Sequence, residues 1–224
     1  AEVPVIPLSA WRGRGPVGSS LQATILVAGA YMSAGVFLSL YLQEVRGEAA
    51  TQAGLVLSAG GMAWTVGSFI GAQCRGPWIR RMVALGTVAI MLAGFSIAAQ
   101  AAFGGLPIVA VYITWCAAAI GMGITMLHLM NWAVVFSPPS QAGSVSGATQ
   151  TLRQLGAAAG GALMGAVLHG IGADPQHLPT AIVAIYLLMA FIAFWPATFR
   201  RPRGVDRVQL QDQASIAEGV EAVA

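Results

Sequence analysis

Six apolar runs, each long enough to cross a lipid bilayer, occupy most of the sequence and leave only short segments between them. A spanning helix needs about 20 apolar residues to cross a hydrocarbon core of about 30 Å. None of the runs alternates polar and apolar residues as a barrel strand would, so helices are the expected spanning form. The spans are predicted at 20–43, 51–73, 82–102, 107–136, 140–171 and 178–198. Ser137, just before Pro138, is the expected N-cap of the fifth span.

The composition is that of a membrane protein, because 57% of the residues are hydrophobic and only 8% are charged. Soluble domains are about a quarter charged. The net charge of +3 comes from arginines in short loops, so it indicates membrane orientation and not nucleic acid binding. Cys74 and Cys116 lie far apart and form no metal-binding or disulfide pattern. We expect no cofactor and no metal.

The arginines predict how the chain is oriented. With a cytoplasmic N-terminus, nine arginines fall on the inner side and only Arg46 falls outside, which is a strong positive-inside bias. This orientation gives a cytoplasmic linker at 1–19, a transmembrane domain at 20–198 and a cytoplasmic tail at 199–224. The inner arginines are Arg12, Arg14, Arg75, Arg80, Arg81, Arg200, Arg201, Arg203 and Arg207.

Polar residues are distributed unequally among the spans. The third and sixth spans are almost entirely apolar and are expected to face lipid. The first, second, fourth and fifth carry most of the polar side chains, which must turn toward protein or water. The sequence therefore predicts an all-α polytopic bundle in a three-plus-three order, with four spans lining a cavity or a partner.

The fifth span carries Arg153 near its middle, beside Gln150 and Gln154. A charge at that depth costs about 3 kcal/mol on insertion scales. Arg153 either binds an anionic substrate group or a partner carboxylate, or it ties neighbouring helices together. The two glutamines either line the cavity or form hydrogen bonds between helices.

Further candidates lie on the second and fourth spans. Thr125, His128 and Asn131 share one face of the fourth span, where a histidine can titrate near neutral pH or can serve as an interhelical hydrogen bonder. Trp64 and Trp115 either line a hydrophobic cavity or pack in the core.

Small residues at four-residue spacing predict close helix packing on the second and fifth spans. The rows are Ala59, Ala63, Gly67 and Gly71, then Gly156 with Gly160, and Gly161 with Gly165.

Three segments resemble the C-terminal six-helix half of major facilitator superfamily transporters. They are YLQEVRGEAATQAGLVLSAGGMAWTVGSFIGAQ, RGPWIRR and GSVSGATQTLRQLGAAAGGALMGAVL, and the resemblance extends from about Pro7 to Phe199. The TLRQLG run is closest to the fourteen-span drug:proton antiporter branch. The resemblance implies a 3+3 inverted-repeat bundle in a bacterial plasma membrane, with both termini cytoplasmic. It also implies proton-coupled efflux of small amphipathic or hydrophobic compounds by alternating access, together with an N-terminal six- or eight-span half that this chain lacks.

The loop after the second span departs from the family pattern G-x-L-A-D-R-x-G-R-R. Residues 71–81 keep the leading glycine and the closing pair Arg80 and Arg81, but Arg75 or Gly76 stands where the acidic residue would fall. A latch role for this loop is therefore not implied.

Two other classes remain open. A non-transporting six-span scaffold or a truncated product would have the same spans. An intramembrane protease is a remote alternative, because Gly143 to Gly147 reads G-x-x-S-G and not G-x-S-G, and the last span contains no histidine. We do not expect an enzyme.

Overall fold

Six long helices make up the protein in a computed structural model that describes residues 16–104, 106–137 and 139–198. Most of the 1–19 linker and the whole 199–224 tail, with their arginines, lie outside the described residues. The helices are α1 (Pro16–Leu40, continued by a π-helical turn, Tyr41–Val45), α2 (Ala50–Gln73), α3 (Trp78–Phe103), α4 (Ile108–Val135), α5 (Ala142–Ile171) and α6 (Leu178–Thr198). Each predicted span is confirmed as one helix, with ends within four residues of the expected positions.

By length and composition, α1 to α5 could each cross a membrane. The apolar part of α6 that is described, Leu178–Ala193, is shorter. Gly104 and Gly172 follow the last residues of α3 and α5 with positive φ angles of 65° and 117°, a backbone conformation that ends a helix and favours glycine.

The expected N-cap role of Ser137 is wrong. The Ser137 hydroxyl donates to the Val134 carbonyl of α4 at 2.6 Å, so it satisfies the end of the preceding helix. A short 3₁₀ turn, Pro139–Gln141, follows, and α5 begins at Ala142 without a side-chain cap. Two consecutive prolines favour this separate turn because each fixes φ and lacks a backbone donor.

Four helices form a row in the order α2, α4, α1, α5, and α3 and α6 pack together behind it. The large apolar side chains exposed on these two rear helices include Leu85, Leu92, Phe95, Leu187 and Phe191. Such a surface suits lipid tails, because no polar side chain there needs a partner.

The two ends of the row are built by the same contact. A Cβ on Gly67 of α2 would overlap the Ile120 carbonyl oxygen of α4 and lie 2.7 Å from its Cα. A Cβ on Gly156 of α5 would overlap the Ile25 carbonyl oxygen of α1 and lie 2.9 Å from its Cα. Helices α2 and α4 therefore pair in the same way as α5 and α1.

One turn further along, the correspondence continues. Gly71 lies against Ile124 of α4, and Gly160 lies against Gly29 of α1. Because α1 and α4 run in opposite directions across the bundle, the two three-helix units are related by inversion. The bundle is thus a 3+3 inverted repeat.

The loops define two ends of the bundle, named here the Arg46 end (46–49, 104–107 and 172–177) and the Arg75 end (74–77 and 136–141). At the Arg46 end, the Arg46 Nη2 donates to the Leu106 carbonyl at 2.9 Å. Its Nε lies 3.9 Å from a Glu48 carboxylate oxygen. Arg46 therefore links the loop after α1 to the loop that joins the two repeats.

Candidate functional site

A polar strip runs along the exposed side of α5. Ser146, Gln150 and Gln154 are exposed, and Arg153 is partly exposed. The Arg153 Nε donates to the Gln150 side-chain oxygen at 2.9 Å. No further hydrogen bond or ion pair of Arg153 is found among the residues that the structure describes. The remaining guanidinium donors therefore have no protein partner in this part of the chain.

Arg153 lies about 16 Å along α5 from its first residue, at 1.5 Å per residue. The carboxylates among the described residues, Glu44, Glu48 and Asp174, all lie at the Arg46 end. Asp174 is already engaged, because the His177 ring nitrogen lies 2.9 Å from its carboxylate oxygens. Hydrogen bonding from the His177 side chain lowers the pKa of Asp174. Arg153 is thus a cation at mid-helix with no acidic residue at its depth in the described helices.

An aromatic cluster joins α1, α2 and α4. Tyr31 stacks on Trp115 with ring centroids 4.8 Å apart and planes 9° apart, and Trp64 meets Tyr31 edge-on at 5.7 Å. Trp115 is buried, and Gly60 provides the space for its indole, since a Cβ there would lie 2.6 Å from the ring. Trp64 is only partly buried. Of the two tryptophans, Trp64 has the greater exposed area and Trp115 forms part of the core.

The polar stripe expected on α4 is divided by the packing. Thr125 is buried against α3, where its hydroxyl donates to the Val83 carbonyl at 3.4 Å. His128 is buried beside Gly71 of α2, whose backbone interacts with the imidazole. Asn131 is exposed. These three residues therefore do not form one polar surface.

The expected packing residues fall into two groups. Gly67, Gly71, Gly156 and Gly160 lie at the helix crossings described above. Gly161 has only the Ser33 Cβ nearby, at 3.9 Å from its built Cβ, and Gly165 has nothing within 4 Å. Ala59 and Ala63 are partly exposed. Spacing alone did not distinguish the glycines at crossings from those facing open space.

Sequence reasoning missed Tyr31, which connects both tryptophans, and Gly123, whose built Cβ would overlap the Trp64 carbonyl oxygen. A tyrosine in the middle of a span was the available signal for Tyr31. The neighbouring glycines 121 and 123 were the signal on α4.

At the Arg75 end, Arg75 and Arg81 are exposed, and Arg80 is partly exposed. The Arg81 guanidinium lies 5.0 Å from the Trp78 ring centroid, which is a cation–π contact. This arrangement suits a membrane interface, where tryptophan and arginine are favoured.

The six helices and the inverted repeat define a multi-pass membrane protein. The chain belongs to the Major Facilitator Superfamily, whose family model matches residues 1–161.

Among solved structures, the chain is similar to the inward-open conformation of the xylose transporter XylE from E. coli, with 15% sequence identity and a TM-score of 0.66. The match covers 87% of this chain and 49% of that transporter, so the chain spans about half its length. At this identity the likeness establishes the fold alone. No curated protein matches the chain.

Proposed function

We propose that the chain forms the C-terminal six-helix half of a transporter that exports small amphipathic or hydrophobic compounds by alternating access. The observation that supports this proposal best is the contrast between α5 and the two rear helices. The rear helices α3 and α6 expose apolar side chains, whereas α5, at the end of the row, exposes a strip of polar residues around Arg153, which has no acidic partner among the described residues. A polar surface at membrane depth needs a water-filled cavity or a protein partner.

The missing partner is an N-terminal half of six or eight spans. A chain that covers 49% of a related transporter's length fits one half of such a protein. In transporters built from two related halves, the substrate site lies between the halves near the bilayer midplane. The resemblance of the TLRQLG run in α5 favours the fourteen-span drug:proton antiporter branch, in which the row α2, α4, α1, α5 would face the cavity.

The Arg75 end is assigned to the cytoplasmic side of a bacterial plasma membrane. Nine arginines belong to the predicted loops and termini of that side, whereas only Arg46 belongs to the loops of the other side. Single cysteines at Arg75 and Gln176, in a protein whose two native cysteines are replaced, test this assignment. A membrane-impermeant maleimide added to intact cells is expected to label Gln176→Cys and not Arg75→Cys. Labelling of Arg75→Cys alone would reverse the orientation.

Proton coupling is the proposed energy source. No carboxylate of this chain lies inside a described helix apart from Glu44 in the π-helical turn, so the coupling carboxylate is assigned to the other half. His128 is the second candidate, since it is a titratable side chain buried between α4 and α2. Imposing and then collapsing a pH gradient across proteoliposomes is expected to start and then stop export.

Arg153→Ala in the complete transporter is expected to abolish export while the amount of folded protein in the membrane stays unchanged. The reason is that, among the described residues, Arg153 hydrogen-bonds to Gln150 of its own helix, so its loss removes no hydrogen bond between described helices. Export is measured in proteoliposomes, and abundance by size-exclusion chromatography of the purified protein.

Thr151→Ala is the matched control, because Thr151 lies about 160° around α5 from Arg153 and bonds only to the Gly147 carbonyl. It is expected to leave export unchanged. A parallel loss of export and of folded protein in Arg153→Ala would instead make Arg153 a structural residue.

A further inference from the structure

The inverted repeat supplies an internal comparison for Arg153. The Gly67–Ile120 contact of α2 with α4 corresponds to the Gly156–Ile25 contact of α5 with α1, atom for atom. Trp64 precedes Gly67 by three residues, and Arg153 precedes Gly156 by three residues. The same register aligns Gly61 with Gln150 and Thr65 with Gln154. Arg153 and Trp64 therefore occupy equivalent places in the two repeats.

This equivalence indicates that close helix packing does not depend on the charge at this position. The α2–α4 crossing is formed with a tryptophan at the place where the α5–α1 crossing has an arginine, and both crossings bring glycine against the same backbone atoms. Close packing of the repeat therefore requires no cation at this position. Trp64 also packs onto Tyr31, whereas Arg153 bonds only to Gln150 among the described residues.

The bond to Gln150 also sets what Arg153 can bind. It uses the Nε donor, so both terminal nitrogens remain available. The side chain is partly exposed, and Gln150 and Gln154 beside it are exposed. Two terminal nitrogens in one plane match the two oxygens of a carboxylate, sulfonate or phosphate group.

The distribution of charged residues in the described helices favours an anion at Arg153. Arg153 is a formal charge near the middle of a helix, and the carboxylates of the described residues lie at the Arg46 end. An unpaired cation at membrane depth is costly, so an anionic occupant would be strongly favoured over a neutral or cationic one.

We propose that the transported compounds are amphipathic organic anions, and that their acidic group is bound by Arg153 on the α5 side of the cavity. The inference rests on the proposed function, which supplies the cavity. An anion bound at Arg153 would lie beside α5 and its neighbour α1, which α5 crosses at Gly156.

Three ligands with one naphthalene body and different charge test the inference on the purified complete transporter. They are 2-naphthoate, 2-naphthamide and 2-naphthylmethylammonium, and their affinities are measured by isothermal titration in nanodiscs. The wild-type protein is expected to bind the carboxylate about tenfold more tightly than the amide, as for a hydrogen-bonded charge. Equal affinities for carboxylate and amide would overturn the inference.

Three variants identify the residue responsible. Arg153→Gln is expected to weaken naphthoate binding about tenfold and to leave naphthamide within twofold, while Arg153→Lys retains part of the preference for the anion. Arg75→Gln removes a charge from an exposed loop and is expected to change neither affinity. An equal loss for both ligands in Arg153→Gln would mean that Arg153 supports the fold and not the anion.

A third outcome would assign Arg153 to a carboxylate of the other half. In that case Arg153→Gln leaves the carboxylate bare, the ammonium ligand binds more tightly, and the inference is overturned. Failure of all three ligands to bind the folded wild-type protein would instead overturn the proposed function, together with the inference that rests on it.

Discussion

Gly156→Ala is expected to destabilise the bundle, whereas Gly165→Ala in the same helix is not. A Cβ at position 156 would overlap the Ile25 carbonyl oxygen, and backbone atoms can move away only if α1 and α5 separate along their length. Overpacking of this kind costs about 1–3 kcal/mol. A Cβ at position 165 meets nothing within 4 Å, and alanine is the better helix former by about 1 kcal/mol.

The free energy of unfolding is measured by titration with sodium dodecyl sulfate in mixed micelles. The inverted repeat offers a second pair for the same measurement, because Gly67 meets the Ile120 backbone in α2 and Gly61 has nothing within 4 Å. Gly67→Ala is expected to behave like Gly156→Ala, and Gly61→Ala like Gly165→Ala. If the four variants were equally stable, the close crossings would be absent from the folded protein.

Trp115→Ala is expected to cost about 3–5 kcal/mol of unfolding free energy, as for a large aromatic side chain removed from a core. Trp115 is 3% exposed, stacks on Tyr31 and occupies the space left by Gly60. Its removal leaves a cavity between three helices that backbone movement cannot readily close.

Trp64→Ala is the comparison, because Trp64 meets the same tyrosine edge-on but is only partly buried. Its removal is expected to cost clearly less in the same titration. Trp115→Phe, which keeps a ring on Tyr31, is expected to recover part of the loss. A larger cost for Trp64→Ala than for Trp115→Ala would mean that Trp64, and not Trp115, is the more deeply buried tryptophan.

The helices were predictable because the bilayer imposes a length that can be read from consecutive residues. An apolar run of about 20 residues, ended by charge, glycine or proline, predicts a spanning helix without reference to the rest of the chain. The start of α5 was not predictable in this way. Ser137 and Pro138 form a plausible helix start locally, but the Ser137 hydroxyl bonds to the carbonyl of Val134 instead.

The candidate site was predictable in part. Arg153, Gln150 and Gln154 stand out in an apolar run, and the structure keeps them on one exposed strip of α5. Thr125 and His128 stand out equally, yet both are buried, Thr125 against α3 and His128 beside Gly71 of α2. Spacing along a helix gives the shared face of two residues but not the neighbour that covers it.

The sequence by itself determined the number of long helices, their approximate limits and the division between polar and apolar helices. These properties depend on local composition and on the thickness of the hydrocarbon core. Only the tertiary structure decided which glycines meet a neighbouring backbone and that Trp64 and Arg153 are equivalent. In a membrane helix the lipid-facing and the packed faces are both apolar, so no amphipathic pattern marks the packed side, and the rotation of each helix is decided by its neighbours.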